Sequence, residues 1–230
     1  MTDAAATPRI PDATLYIATG CAYCPVVLTA ASELVKAGLL SRLEIINIAT
    51  DPERARGANV RSVPLLRLGP YELEGVRTRA ELERYARGAG THEGLAAWFA
   101  DEFASGAIAK VLAAIHADDT RLAALLILLA DPATPLAARV GVGAVMEDFA
   151  AHAALQRIVP QLGALARHAD ARVRTDAAHY LALSGAPQAL AFLEPLLQDA
   201  DDNVRAVAQE SIERLGHRDV PTAKQSHAGD

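Results

Sequence analysis

The chain has 230 residues, a formal net charge of −6, 51 % apolar residues and only 4 % aromatic ones, which suits one large or two small domains with cores of Ala, Leu and Val. Its acidity is uneven: residues 1–90 hold 11 Lys and Arg against 10 Asp and Glu, and residues 91–230 hold 11 against 18, so nucleic acid, whose phosphates need basic surface, is not an expected partner. No apolar run approaches the ~20 residues of a membrane span, and Met1-Thr2-Asp3-Ala4 does not begin a secretory signal. A cytoplasmic chain with no cofactor and no membrane partner is expected.

Residues 1–13, polar and carrying Pro8 and Pro11, read as a flexible arm. A first strand follows at Leu15–Thr19. Then comes Gly20-Cys21-Ala22-Tyr23-Cys24-Pro25, which contains both cysteines of the chain. Pro25 fits a first helical turn, where its missing N–H costs nothing. Val27, Ala30, Ala31, Leu34 and Val35 recur at helical spacing, with Gly38 as the C-terminal cap. Leu43–Ile48 is nearly continuous in apolar residues, as in a strand covered on both faces. Asp51-Pro52 opens a short helix reaching about Ala58. Val60–Leu68, the turn Gly69-Pro70 and Tyr71–Glu74 read as a hairpin. Thr78-Arg79-Ala80-Glu81 is a capping box for a last helix, with Leu82 and Tyr85 facing the sheet and Gly88 ending it.

A Cys-x-x-Cys pair alone is open to three readings: a zinc half-site, an inert pair, or a dithiol–disulfide couple. A tetrahedral zinc site needs about four ligands, and no third cysteine or nearby histidine stands beside the pair. At a strand-to-helix junction the helix aims unpaired N–H groups and the positive end of its dipole at the first sulfur, favouring the thiolate. Cys21 is therefore the expected nucleophile and Cys24, one turn on, the resolving thiol.

The order strand, helix, strand, helix, strand, strand, helix, with Cys21-Ala22-Tyr23-Cys24 after the first strand and Val63-Pro64 before the third, resembles the thioredoxin/glutaredoxin superfamily over residues 14–88. The resemblance implies an α/β domain with a central four-stranded mixed sheet flanked by helices, spanning residues 14–90. It also implies a cis Pro64 facing the cysteines, substrate contacts from Tyr23, Val63 and Pro64, and catalytic roles for Cys21 and Cys24. The chain departs from the family at Leu15, where thioredoxins carry a buried carboxylate. It departs again at Gly20, where no tryptophan precedes the pair, at Ala22, where glutaredoxins have proline, and at Gly75, where they have two glycines for glutathione. Those departures leave the electron donor, protein or small thiol, unassigned.

After a junction at residues 91–94, Ala- and Leu-rich helical pattern runs from about Leu95 to Gly216. Asp170–Gly185 aligns without gaps on Asp201–Gly216, matching Asp170/Asp201, Val173/Val204, Arg174/Arg205, Ala177/Ala208 and Gly185/Gly216. A weaker copy begins at Pro135, with Arg139 in place of Arg174. Partner helices are expected at Leu155–Ala166 and Gln188–Gln198, and a first pair at Leu95–His116 and Arg121–Leu129. Helix pairs opening on Asp-x-x-Val-Arg resemble HEAT repeats, so residues 95–216 are expected to be an all-α solenoid domain with a protein-docking surface. Its repeated arginines are read as structural ties. Residues 217–230 read as a disordered tail.

The leading expectation is a thiol–disulfide oxidoreductase acting on protein disulfides, with partners docked on the repeats. The alternatives are a non-enzymatic interaction scaffold with a redox-inactive thioredoxin-like domain, and a metal or thiol sensor.

Overall fold

The computed structural model describes residues 10–218. The expectations for residues 1–9 and 219–230 lie outside them. The chain divides into two compact units between Asp101 and Glu102.

The first unit is a four-stranded mixed sheet in the order β2-β1-β3-β4. The strands are β1 (Asp12–Ile17), β2 (Arg42–Asn47), β3 (Leu65–Leu68) and β4 (Tyr71–Glu74). β1 pairs parallel with β2 and antiparallel with β3, which pairs antiparallel with β4. The helices are α1 (Cys24–Lys36), α2 (Pro52–Gly57), α3 (Arg79–Gly88) and α4 (His92–Ala104), whose last residues, from Glu102, belong to the second unit. β1 starts within the stretch the sequence assigns to the arm, because Asp12 pairs with Arg42 across the ladder and forms an ion pair with it at 3.2 Å. Ser41 N–H bonds the Pro11 carbonyl just ahead of the same pair.

Alternation along the strands sorts the side chains onto two faces. Leu15, Leu66 and Leu73 form one cross-sheet row, each at most 1 % exposed. Tyr71 shares that face and donates to the Gly88 carbonyl in α3 at 2.7 Å. Tyr16, Ile46 and Leu65 form the opposite cluster, against which Ile48, Ala58, Val60 and Val63 pack. The expectation that β2 is covered on both faces fails: β2 is the sheet edge and Ile45 is 47 % exposed. Continuous apolar residues at an edge look the same in sequence as a central strand.

Helix ends follow their local chemistry. Asp51 accepts from Arg54 N–H at 3.1 Å at the start of α2, and Thr78 with Glu81 closes the capping box of α3. At the end of α1, Gly38 N–H bonds the Val35 carbonyl and Leu39 N–H bonds that of Leu34, with Gly38 at φ +70°. This Schellman arrangement is one a glycine accommodates at no steric cost. The same motif, on Gly106, ends α4, so the expected helix Leu95–His116 is two helices, α4 and α5 (Ile108–Ala117).

In the second unit α5 is followed by a 3₁₀ stretch, Asp119–Ala124, then α6 (Leu125–Ala130), α7 (Leu136–Asp148), α8 (Ala153–Arg157), α9 (Val159–Leu165), α10 (Ala171–Leu183), α11 (Leu190–Leu193) and α12 (Asp202–Arg218). The expected helices Leu155–Ala166 and Gln188–Gln198 are each interrupted. Pro160 and Pro195 lack the N–H that would continue the ladder. Asp170 and Asp201 cap α10 and α12 by accepting backbone N–H groups.

The repeated arginines are structural ties. Arg139 reaches Asp176 at 2.6 Å and the Asp131 carbonyl at 3.1 Å. Arg174 grips both Asp199 oxygens at 2.7 and 2.8 Å, and the carbonyls of His168 and Ala169. Arg205 bonds the Asp199 carbonyl at 2.6 Å. Asp199 is thereby fixed through its side chain by one repeat and through its backbone by the next. Glycines admit rings nearby: a Cβ on Gly141 would overlap Phe103, and one on Gly163 would overlap Phe192.

Trp98, 1 % exposed, packs with Tyr71 and Phe99 in the first unit. α3 and α4 approach closely at Gly88 and Gly94, where a Cβ on Gly94 would overlap the Gly88 carbonyl oxygen and the Tyr71 hydroxyl. Gly94→Ala should therefore cost roughly 1–3 kcal/mol, as overpacking does, measured by urea unfolding. A second prediction concerns pH. Hydrogen bonds from Arg174 hold the Asp199 carboxyl below the ordinary range. A depressed folded-state value gives stability that is complete above the unfolded value, near ~4, and is lost as pH falls through the folded value. Asp199→Asn should cost roughly 3 kcal/mol at neutral pH. In urea titrations its gap to the parent chain should narrow steadily below about pH 4.

Candidate active site

β1 ends at Ile17, and the chain turns through residues 18–23 into α1. Cys21 N–H bonds the Ala18 carbonyl at 3.2 Å, which bends the loop back on the end of the strand. Cys21 and Cys24 form a disulfide, with Cα atoms 5.5 Å apart. The two sulfurs are not equivalent. Cys24, the first residue of α1, is 4 % exposed, whereas Cys21 is half-buried in the loop. Cys24 N–H donates to Cys21 Sγ at 3.1 Å. No side chain caps α1 and no acid lies in its first turn, so the Cys21 sulfur takes one of the helix's unpaired N–H groups and meets its dipole uncompensated.

The Tyr23 residue is 64 % exposed, and Val26, three residues on, is 50 % exposed. Val26 falls off the stripe of Val27, Ala30, Ala31 and Leu34 that is buried. The Val63–Pro64 bond is cis, Pro64 is buried, and Val63 is half-buried against the Tyr16 cluster. The β1–β3 register pairs Tyr16 with Leu65, so Pro64 and the cysteine loop leave the same end of the sheet. The Pro64 carbonyl accepts from Gly75 N–H at 2.9 Å, which ties the end of β4 there as well. Sequence reasoning missed this tie, because it depends on the hairpin register.

Leu15, at the position where a carboxylate would assist Cys24, is fully buried. Among the described residues no group of three His, Cys, Asp or Glu side chains is placed to hold a metal ion. A cavity of about 250 Å³ lined by Ile10, Pro11, Leu39, Ala86 and Ala89 opens at the other end of β1, away from the disulfide.

A β/α fold resembling thioredoxin and glutaredoxin, carrying a Cys-x-x-Cys pair at disulfide distance before its first helix, is followed by a HEAT-repeat-like all-helical region. Residues 142–213 match the family of HEAT repeats, covering α8 to α11 and most of α7 and α12. A search of curated proteins finds no match. The pair is consistent with a thiol–disulfide oxidoreductase site, and the helical region suits protein docking. Among the described residues no helix is long and apolar enough to cross a membrane.

The Cys21 thiol should titrate below ~8.5, the value of a free cysteine, and below the Cys24 thiol, because the helix N-terminus acts on Cys21 while burial raises Cys24. Thiolate absorbance titrated in Cys24→Ser and Cys21→Ser checks the order.

Proposed function

We propose that the protein is a thiol–disulfide oxidoreductase that acts on protein disulfides in the cytoplasm and docks protein partners on its helical repeats. The observation that carries the reading is the asymmetry of the pair: a half-buried Cys21 whose sulfur takes a helix N–H, bonded to a buried Cys24. In the reduced protein the Cys21 thiolate attacks one sulfur of a partner disulfide. A mixed disulfide forms and the other partner sulfur leaves as a thiolate. Cys24 then loses its proton to solvent and attacks Cys21 Sγ, releasing the second partner thiolate and leaving the Cys21–Cys24 disulfide. A dithiol protein or a small thiol supplies the two electrons that restore the pair.

The substrate chain runs past Tyr23 and along Val63-Pro64. Support for this comes from the Val63 N–H and carbonyl, which have no hydrogen-bond partner among the described residues, and from the exposed Tyr23 ring. Main-chain pairing would give affinity, and the apolar rim would give preference. The cytoplasm is supported by the cysteine count, which serves one reactive pair and no structural disulfide.

With a chemical reductant, the wild-type chain should reduce insulin disulfides catalytically, and Cys21→Ser should not. Cys24→Ser should accumulate mixed disulfides that dithiothreitol releases. A wild-type chain that neither reduces the test disulfide nor cycles reversibly between dithiol and disulfide would refute the proposal.

A further inference from the structure

In a helical stack, residues that the stacking itself requires recur at the repeat offset, as Arg139, Arg174 and Arg205 do. Leu136 and Val140 break that rule. Their equivalents are Ala171 and Thr175 in α10, and Asp202 and Ala206 in α12, all small or polar. Leu136 is 77 % and Val140 58 % exposed, so these large apolar side chains serve neither core nor stack. Spaced four apart, they share one face of α7, and the same stripe continues through Gly143 to Glu147.

At Gly143 the missing side chain leaves a notch whose floor is Tyr180 of α10. The Tyr180 hydroxyl lies 3.5 Å from where a Cβ would stand. Tyr180 is 7 % exposed as a residue, and its hydroxyl, which has no hydrogen-bond partner among the described residues, is not one of the atoms closed off from solvent: it is left open to a partner. Glu147 is exposed and has no ion pair among the described residues, whereas neighbouring Asp176 is already held by Arg139. Burial, and after it the charges of Asp176 and Glu147, push the phenol's ionisation up, so the phenol and the free carboxylate share one electrostatic environment. An apolar pair and an unpaired carboxylate therefore lie along about three turns of α7, with an open hydroxyl of α10 between them.

We propose that this face of α7, with the Tyr180 hydroxyl as its floor, docks an amphipathic helix of a partner protein that lays apolar side chains on Leu136 and Val140 and sets a lysine or arginine over Gly143, toward Tyr180 and Glu147. Charge complementarity selects the occupant: the open group is a carboxylate, and the part of the chain around it is acidic. The proposal rests on reading the repeats as a protein-docking region and needs no thiol chemistry.

The test uses the full chain with its disulfide closed, so that a failure here is separate from a failure of disulfide exchange. Two fluorescein-labelled 16-residue helical peptides serve as probes, each with leucines at i and i+4. One carries lysines at i+7 and i+11, the other glutamates. Fluorescence anisotropy should give the lysine peptide at least 10-fold tighter binding. Val140→Asp should weaken it at least 10-fold, and Glu147→Lys should reverse the preference toward the glutamate peptide. Both changes are at exposed positions, and unchanged circular dichroism and melting temperature would verify folding. Glu53→Lys, the same charge change in the first unit, should leave the preference intact. Equal binding of the two peptides, no measurable binding by the parent chain, or the same effect from Glu53→Lys as from Glu147→Lys would overturn the proposal.

Discussion

The main-chain ladder between β1 and β3 decides what the first unit can do. It sets Leu15 against Leu66 and Tyr16 against Leu65, and then it stops, because Pro64 has no N–H to extend it. Beyond that point one strand turns into the cysteine loop and the other retreats through Val63. Two chemically different features, a thiol pair and an unpaired stretch of backbone, therefore emerge together from one end of the sheet. A one-residue slip would exchange the Leu15 row with the Tyr16 cluster, exposing the core and separating the two features. Core packing and site assembly are the same constraint.

That shared constraint accounts for the chemistry of the pair. Leu15 is fully buried in the sheet, where an ionised carboxylate would have to be neutralised or partnered. The chain places a leucine there, gaining core stability and giving up an internal base for Cys24. The other sulfur is served by a backbone N–H at a helix start with no capping side chain and no acid in its first turn. The site is thus built from backbone electrostatics, with Cys24 buried and Cys21 half-buried.

Features written in local chemistry were legible in the sequence. The cysteine pair, the Thr78–Glu81 capping box, the Asp51-Pro52 helix start and the Asp170 and Asp201 caps each need only a few adjacent residues. Features set by partners distant in the chain were not. Leu43–Ile48 reads as a central strand, and only the sheet order makes it an edge with Ile45 exposed. The Gly75–Pro64 bond needs the hairpin register. Helix breaks lie between these cases. Gly106, Pro160 and Pro195 were visible, but the apolar period runs through all three and outweighed single breakers until the capping bonds and missing donors were known.

The repeats make their own reference for separating packing from surface function. Arg174, Asp199 and Arg205 link successive repeats through one aspartate, whose side chain and carbonyl are both engaged. Such a tie works only if its residues recur, and they do. A position whose residue type breaks the recurrence while remaining exposed is released from that requirement. Leu136 and Val140 are such positions, and in sequence they pass as core because apolar residues on a helix usually are. Their exposure separates them from the core, and comparison with Ala171, Thr175, Asp202 and Ala206 separates them from the stack. What is left is a surface whose chemistry is its own, carried by a scaffold whose regularity makes the exception readable.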